Sequence, residues 1–329
     1  LETVASDLQT PWAMAFAPDG RIFVTERPGR IRVIENGNLR AEPWATVDVV
    51  PSEYRSEGGL LGIAVAPDFE TTGHVYTVGT FATEGQLINR VLRLTDRDGL
   101  GVDPWVVVDG LPEVRAEPGS EPAIHTHVGG AVTFGPDGML YITTGDATTP
   151  ELSQDSASLA GKILRYHLDG TVPAGNPSPG SPVYVSGLRN PQGLAWHPET
   201  GDAFVSEHGP SELSWESYGG WFGDEVNAIV ENGNYGWPEV AGTGGPDQFN
   251  DPLVEWSPSV GPAGLAVYSG PYERWHGNLM VANLRGERLW RIVLEQRGGR
   301  TGWQMVMQEP LLQAMVGRIR VVAMGLDGH

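Results

Sequence analysis

Gly130-Ala131-Val132-Thr133-Phe134-Gly135-Pro136-Asp137-Gly138-Met139-Leu140-Tyr141-Ile142-Thr143 decides the fold. An apolar run meets a Pro-Asp-Gly turn, and a second apolar run follows. Proline presets φ at the second turn position and glycine accepts positive φ, so the stretch specifies a β-hairpin. The pattern recurs on both sides of it. Earlier copies are Trp12 to Gly20 followed by Arg21 to Glu26, and Leu61 to Phe69 followed by Val75 to Val78. Later copies are Gly193 to Gly201 followed by Ala203 to Ser206, and Gly264 to Tyr268 followed, after a longer turn, by Asn278 to Ala282. A last copy, Val321-Val322-Ala323-Met324-Gly325-Leu326-Asp327-Gly328, has no second strand before the sequence stops.

Between the copies lie Ile31-Arg32-Val33-Ile34, Arg90 to Leu94, Lys162 to Tyr166 and Leu289 to Val293. They alternate apolar and polar residues as half-buried outer strands do. Amphipathic helices are scarce. Six hairpin units, each with further strands, predict an all-β chain folded as a six-bladed β-propeller with four-stranded antiparallel blades around a central channel. An irregular pair of β-sandwiches is the alternative. We expect one domain over residues 1–329, with the last blade completed by sequence beyond this stretch.

Composition narrows the partners. A net charge of -20 makes nucleic acid and anionic membranes poor candidates. The absence of cysteine excludes disulfides and thiolate chemistry. No apolar run approaches the roughly 20 residues of a membrane span. Lys162 is the only lysine. The sequence begins at Leu1, as a mature form with an export signal removed would, or a trimmed piece.

Antiparallel pairing sorts the polar residues. The start of each blade's first strand and the end of its second share one face of the ring. Before the first strands stand Glu57, His125 and His127, then Arg189, Asn190 and Gln192, and finally Arg318 and Arg320. After the second strands stand Arg27, Asp146, Glu207 to Pro210, and Arg285. Clustered arginines in an acidic protein imply a bound anion, a planar polycarboxylate or a phosphate. His127 is a candidate general base, because an imidazole titrates near neutrality; a hydrogen-bonded structural histidine is the alternative. The pair His125 and His127 suits a transition metal, with His208 or Asp146 as a third ligand. Asp224-Glu225 with the turn Asn232 to Pro238 offers oxygen ligands for calcium.

Together these motifs resemble the soluble aldose sugar dehydrogenases that use pyrroloquinoline quinone (PQQ). The resemblance covers the chain in order: Pro11-Trp12, Glu26 to Arg30, Glu57 to Gly62, His127 to Gly130, Leu159 to Arg165, Arg189 to Leu194, Glu207 to Pro210, Asp224-Glu225, Asn234 to Pro238 and Arg318 to Arg320. It implies His127 as catalytic base and Arg189 beside the reactive quinone carbonyl, flanked by Asn190 and Gln192. Arg285 falls at a cofactor contact, Arg318 and Arg320 at the cofactor's carboxylates, and Glu57 near the substrate. The carbonyls of Gly209 and Pro210 would hold a calcium that also bridges to PQQ. Glu225 and the Tyr235 carbonyl would hold a second, structural calcium.

The activity implied is oxidation of an aldose at C1 to the lactone, with electrons passed to an external acceptor. The location implied is periplasmic or extracellular, as a monomer or homodimer. A metal-dependent lactonase and a non-catalytic carbohydrate-binding propeller are the alternatives. Val321 stands where aspartate is common in such proteins, Ala131 where arginine is common, and residues 211–222 form an insert beside Pro210.

Overall fold

The computed structural model describes residues 1–50, 57–83, 86–112, 126–210, 223–299 and 301–328. Among them, five antiparallel sheets follow one another along the chain. The first holds β1 (Pro11–Phe16), β2 (Ile22–Glu26), β3 (Arg30–Glu35) and β4 (Asn38–Leu39), with the short β5 (Ala45–Thr46) also pairing β3. The second holds β6 (Leu60–Val65), β7 (His74–Thr83), β8 (Gln86–Arg97) and β9 (Leu100–Leu111). The third holds β10 (Val132–Phe134), β11 (Leu140–Thr144), β12 (Lys162–Tyr166) and β13 (Val183–Val185). The fourth holds β14 (Pro191–Trp196), β15 (Ala203–Glu207), β16 (Asp224–Ile229) and β17 (Val254–Trp256). The fifth holds β18 (Pro262–Val267), β19 (Leu279–Asn283), β20 (Leu289–Gln296) and β21 (Trp303–Leu311).

The hairpins form where the turns require them. Val132 pairs with Ile142 and Phe134 with Leu140. The Gly135 N–H donates to the Met139 carbonyl at 3.0 Å, and Gly138 takes φ 74° to close the turn. The intervening runs are the third strands, in β3, β8, β12 and β20, not outer ones. A fourth strand pairs with each of them; packing on the sheet faces fully buries Ile31, Val33, Ile163 and Leu164, while Leu289, Trp290, Arg291 and Val293 of β20 are half-buried as expected.

Apolar side chains fill the seams between neighbouring sheets. Aromatic pairs mark them: Tyr76 with Phe134 at 5.3 Å, Tyr141 with Trp196 at 4.6 Å and Phe204 with Trp303 at 5.6 Å. Each such buried ring or aliphatic contributes ~1.5–3 kcal/mol. A hydroxyl latch repeats at the inner edge. Thr25, Thr143 and Ser206 donate across to the carbonyls of Leu61, Pro191 and Ala263, each on the first strand of the next sheet. Such close approach leaves no room for a side chain at Gly62, where a Cβ would stand 2.3 Å from the Gly130 carbonyl oxygen.

The five first strands and residues 320–324 line a cavity of about 440 Å³, called the channel below. Met14, Ile63, Thr133, Leu194, Leu265 and Val322 line it. Residues 321–324, expected as a strand, join no sheet among the described residues. The Gly264 N–H donates to the Arg320 carbonyl at 3.0 Å, but no second strand among the described residues supplies the ladder on the other side. At the opening of β1, β6, β14 and β18 the pairing register shifts, between Pro11 and Met14, Leu60 and Ile63, Pro191 and Gly193, and Pro262 and Leu265. These bulges re-aim the side chains at the channel mouth, Trp12 and Gln192 among them.

Candidate active site

The bulged strand starts open onto a cavity of about 470 Å³, within the range of small-molecule sites. Glu57, Asn190, Gln192, Arg285, Arg318 and Arg320 line it, as their place before or after the strands predicts. Arg27, His208 and Trp12 line it too. His127 and Arg189 stand at its edge, since their chain neighbours Val128, Gly129 and Asn190 form its wall. His125 lies outside the described residues, as does the 211–222 insert.

His127 is held from three sides. Its φ of 55° is left-handed, a conformation that costs about 1–3 kcal/mol in a non-glycine residue. Glu57 Oε2 accepts its backbone N–H at 2.8 Å, and its carbonyl accepts the Ala147 N–H at 3.3 Å. Only glycine fits beneath it at position 145, where a Cβ would lie 1.9 Å from the His127 oxygen. Its Nδ1 meets Asp146 Oδ1 at 2.7 Å. The fully buried Asp146 also accepts the Thr148 N–H at 2.9 Å and the Trp237 Nε1–H at 2.8 Å. Surrounded by donors, Asp146 serves as the acceptor. His127 therefore carries its proton on Nδ1 and offers the Nε2 lone pair. No group of three metal-ligating side chains occurs among the described residues, which do not include His125.

Arg189 is a buried cation whose Nη1 donates to the His208 carbonyl at 2.9 Å and whose Nε has no partner among the described residues. Its guanidinium lies 5.6 Å from the Trp237 ring centroid. Burial pulls its pKa down, while Asp146, Glu207, Glu57 and Asp224 push it back up. Asn190 Oδ1 accepts from the Gly129 N–H at 3.1 Å and from Gln192 Nε2 at 2.9 Å. Gln192 Oε1 in turn accepts from Arg320 Nη2 at 2.8 Å. Arg320 Nη1 is buried without a partner among the described residues, and burial lowers the Arg320 pKa to about 9. Two orphaned guanidinium donors beside a cavity are the chemistry an anion satisfies.

A second polar cluster lies behind. Glu207 and Glu225 are opposite each other on β15 and β16, and both are buried. One amide, Asn227 Nδ2, reaches them at 3.3 and 3.1 Å, while its Oδ1 has no partner. Burial first, then Glu225, raises the Glu207 pKa well above the usual range. Burial raises that of Glu225 to about 7. Its Oε1 accepts the Gly242 N–H at 2.6 Å. An excess of buried carboxylate oxygen suits a hard cation. Gly209 donates its N–H to Asp224 Oδ1 at 3.0 Å, and the Tyr235 hydroxyl donates to the Ala228 carbonyl at 2.7 Å.

The loop that carries Asp146 is tied down by Lys162. Its ammonium is fully buried and donates to the carbonyls of Leu152, Ser153 and Ala160 at 2.9, 2.8 and 2.7 Å. Gln154, on the same loop, exchanges hydrogen bonds with the Asn234 side chain at 3.1 and 2.7 Å. Lys162→Met leaves these carbonyls short of a donor, at about 1 kcal/mol or more each, so urea unfolding should show a loss of ~3 kcal/mol. Burial lowers the Lys162 pKa from 10.5 to about 8. Between those values the unfolded chain holds a proton that the native one does not, so stability rises with pH there. That rise, measured from pH 8 to 10.5 in wild type against Lys162→Met, should be absent in the variant.

Sequence reasoning placed Asp146 on the rim without seeing it as the partner of His127, although antiparallel pairing sets the end of β11 beside the stretch before β10. Trp12 stood in a quoted motif without a role. Trp237 gave no sign that its indole would serve both Asp146 and Arg189.

Fold and cavity define an all-β protein with an anion-receptive mouth beside an oriented histidine. The sequence model of the Glucose / Sorbosone dehydrogenase family matches residues 8–329. A solved glucose dehydrogenase-type oxidoreductase of Thermus thermophilus is 44% identical, with a TM-score of 0.84 over 99% of this chain and 91% of that one. The PQQ-bound aldose sugar dehydrogenase of Streptomyces coelicolor is 38% identical, with a TM-score of 0.81 over 98% of this chain and 87% of that one. Aldose sugar dehydrogenase YliI of Escherichia coli is 28% identical over 359 residues, covering 100% of this chain and 88% of that protein. The chain belongs to the glucose/sorbosone dehydrogenase family.

Proposed function

We propose that the protein is a PQQ- and calcium-dependent aldose sugar dehydrogenase, built as one six-bladed propeller domain. It would oxidise the sugar at C1 to the lactone, and its relatives suit a periplasmic or extracellular setting with an external electron acceptor. The observation that carries this reading is the pair of donors left without a partner among the described residues, Arg189 Nε and Arg320 Nη1, beside a histidine oriented by Asp146. PQQ is a planar tricarboxylate, and the cavity wall presents Arg27, Arg285, Arg318 and Arg320 with the amides of Asn190 and Gln192. The carbonyls of Gly209 and Pro210 would hold one calcium, and Glu225 with the Tyr235 carbonyl the other.

PQQ, when bound, would supply an ortho-quinone as the acceptor of the C1 hydride. The chain's own residues do the rest. His127 Nε2 accepts the proton of the C1 hydroxyl, and Asp146 stabilises the imidazolium that results. The buried charge of Arg189 favours negative charge developing beside it. Glu57 fixes the backbone of His127 and so the approach of its ring. A lactonase would call for carboxylates around a metal, whereas the polar side chains lining this cavity are mainly arginines and amides, with Glu57 the one carboxylate among the described residues.

Reconstitution tests the reading. Purified protein mixed with PQQ and calcium should bind PQQ and reduce a dye in the presence of an aldose, and not without either addition. Failure of both binding and turnover across a panel of aldoses sinks it.

A further inference from the structure

We propose that Trp12 is the positioning residue for Arg320, its indole face orienting the guanidinium without neutralising it. This rests on the reading of the cavity as a polycarboxylate site. Arg320 Cζ lies 3.9 Å from the Trp12 ring centroid, nearer than any other cation–ring pair among the described residues. Among those residues its one side-chain hydrogen bond goes to Gln192 Oε1, a neutral acceptor. No ion pair to Arg320 occurs among the described residues. Glu57 favours its charge from a distance, while Arg27 and Arg318 oppose it.

A carboxylate in contact with Arg320 would hold the side chain but also compete with an incoming anion. An aromatic face gives an attraction of comparable use, worth more when desolvated, and leaves every guanidinium proton except one for the ligand. The exception is the proton given to Gln192. The fold supplies the means. The register shift between Pro11 and Met14 falls at Trp12, and its ring lies between the channel and the mouth, lining both. Trp12 is itself buried, so the stack is shielded from water.

The test is equilibrium titration of PQQ, and separately of benzene-1,2,4-tricarboxylate, into the calcium-supplied protein. Trp12→Leu should weaken both ligands by about tenfold or more, the scale of a desolvated cation–π contact. Tryptophans with increasing fluorine substitution, placed at position 12 alone, keep the shape and weaken the π face. Affinity should fall stepwise along that series, which a merely structural role would not produce. A flat series, or a folded Trp12→Leu that binds both ligands as wild type does, overturns the proposal. If Trp12→Leu does not fold, the fluorine series decides. Wild type that binds the tricarboxylate but not PQQ overturns the cofactor, and a graded series for the tricarboxylate then still supports the role of Trp12.

Discussion

His127→Ala in the protein supplied with PQQ and calcium should lower kcat for aldose oxidation by about a thousandfold, the middle of the range for losing a general base. The side chain's polar contact among the described residues is to Asp146, and its Nε2 is the lone pair that the arrangement leaves free on the ring. PQQ absorbance and affinity should change little, because the cavity wall is built by other residues. Asp146→Asn separates base strength from geometry. An amide in that position cannot accept from both His127 Nδ1 and Trp237 Nε1, since one of its two ends is a donor. Either the ring takes the wrong tautomer or the indole loses its partner. Stopped-flow measurement should show kcat down by about a hundredfold, and pH–rate profiles of the two variants should differ from wild type. A His127→Ala variant that binds PQQ and turns over within about threefold of wild type removes His127 from the chemistry.

Arg189→Met should be nearly as damaging and for a second reason. Its charge is the cation that Asp146, Glu207, Glu57 and Asp224 all act on. With methionine there, these carboxylates lose a compensating buried charge, and leaving buried charge uncompensated costs about 3–5 kcal/mol. Turnover should fall by about a hundredfold or more if developing negative charge is stabilised there. Arg189→Lys keeps the charge but lacks the planar group that stacks on Trp237 and reaches the His208 carbonyl. It should regain stability more fully than rate. Thermal unfolding and single-turnover reduction of PQQ, measured on both variants, tell the two losses apart. Equal recovery of both would mean that Arg189 acts only on folding.

The strand repeat was legible because its information is local: a Pro-Asp-Gly turn fixes its own backbone, and alternation fixes the face. The rim residues Glu57, Asn190, Gln192 and Arg285 were legible because antiparallel pairing alone returns strand ends to one side; Arg318 and Arg320 reach the same cavity although the strand expected after them joins no sheet among the described residues. What stayed hidden depends on contacts between distant segments. The pairing of Trp237 with Asp146 joins residues 91 positions apart, and no pattern near either one announces it. The stacking of Trp12 on Arg320 joins the first strand to the last described segment. Lys162 stood out as a lone lysine, yet only the fold shows it inside, sealed under three carbonyls. The strand expected at residues 321–324 failed because alternation and apolarity propose a strand but cannot supply its neighbour.

The hydroxyl latches and the seam contacts have one more effect. Glu57 meets His127 between the second and third sheets, Asn190 meets Gly129 between the third and fourth, and Arg320 meets Gln192 and Trp12 where the last segment comes round. No sheet owns a complete set. Binding competence thus depends on contacts between distant segments and arises late, once those spanning most of the chain have formed. A nascent or partly unravelled chain has no receptor for the ligand, so ligand occupancy reports on all of these contacts at once. By mass action, the same ligand would guard the join against opening.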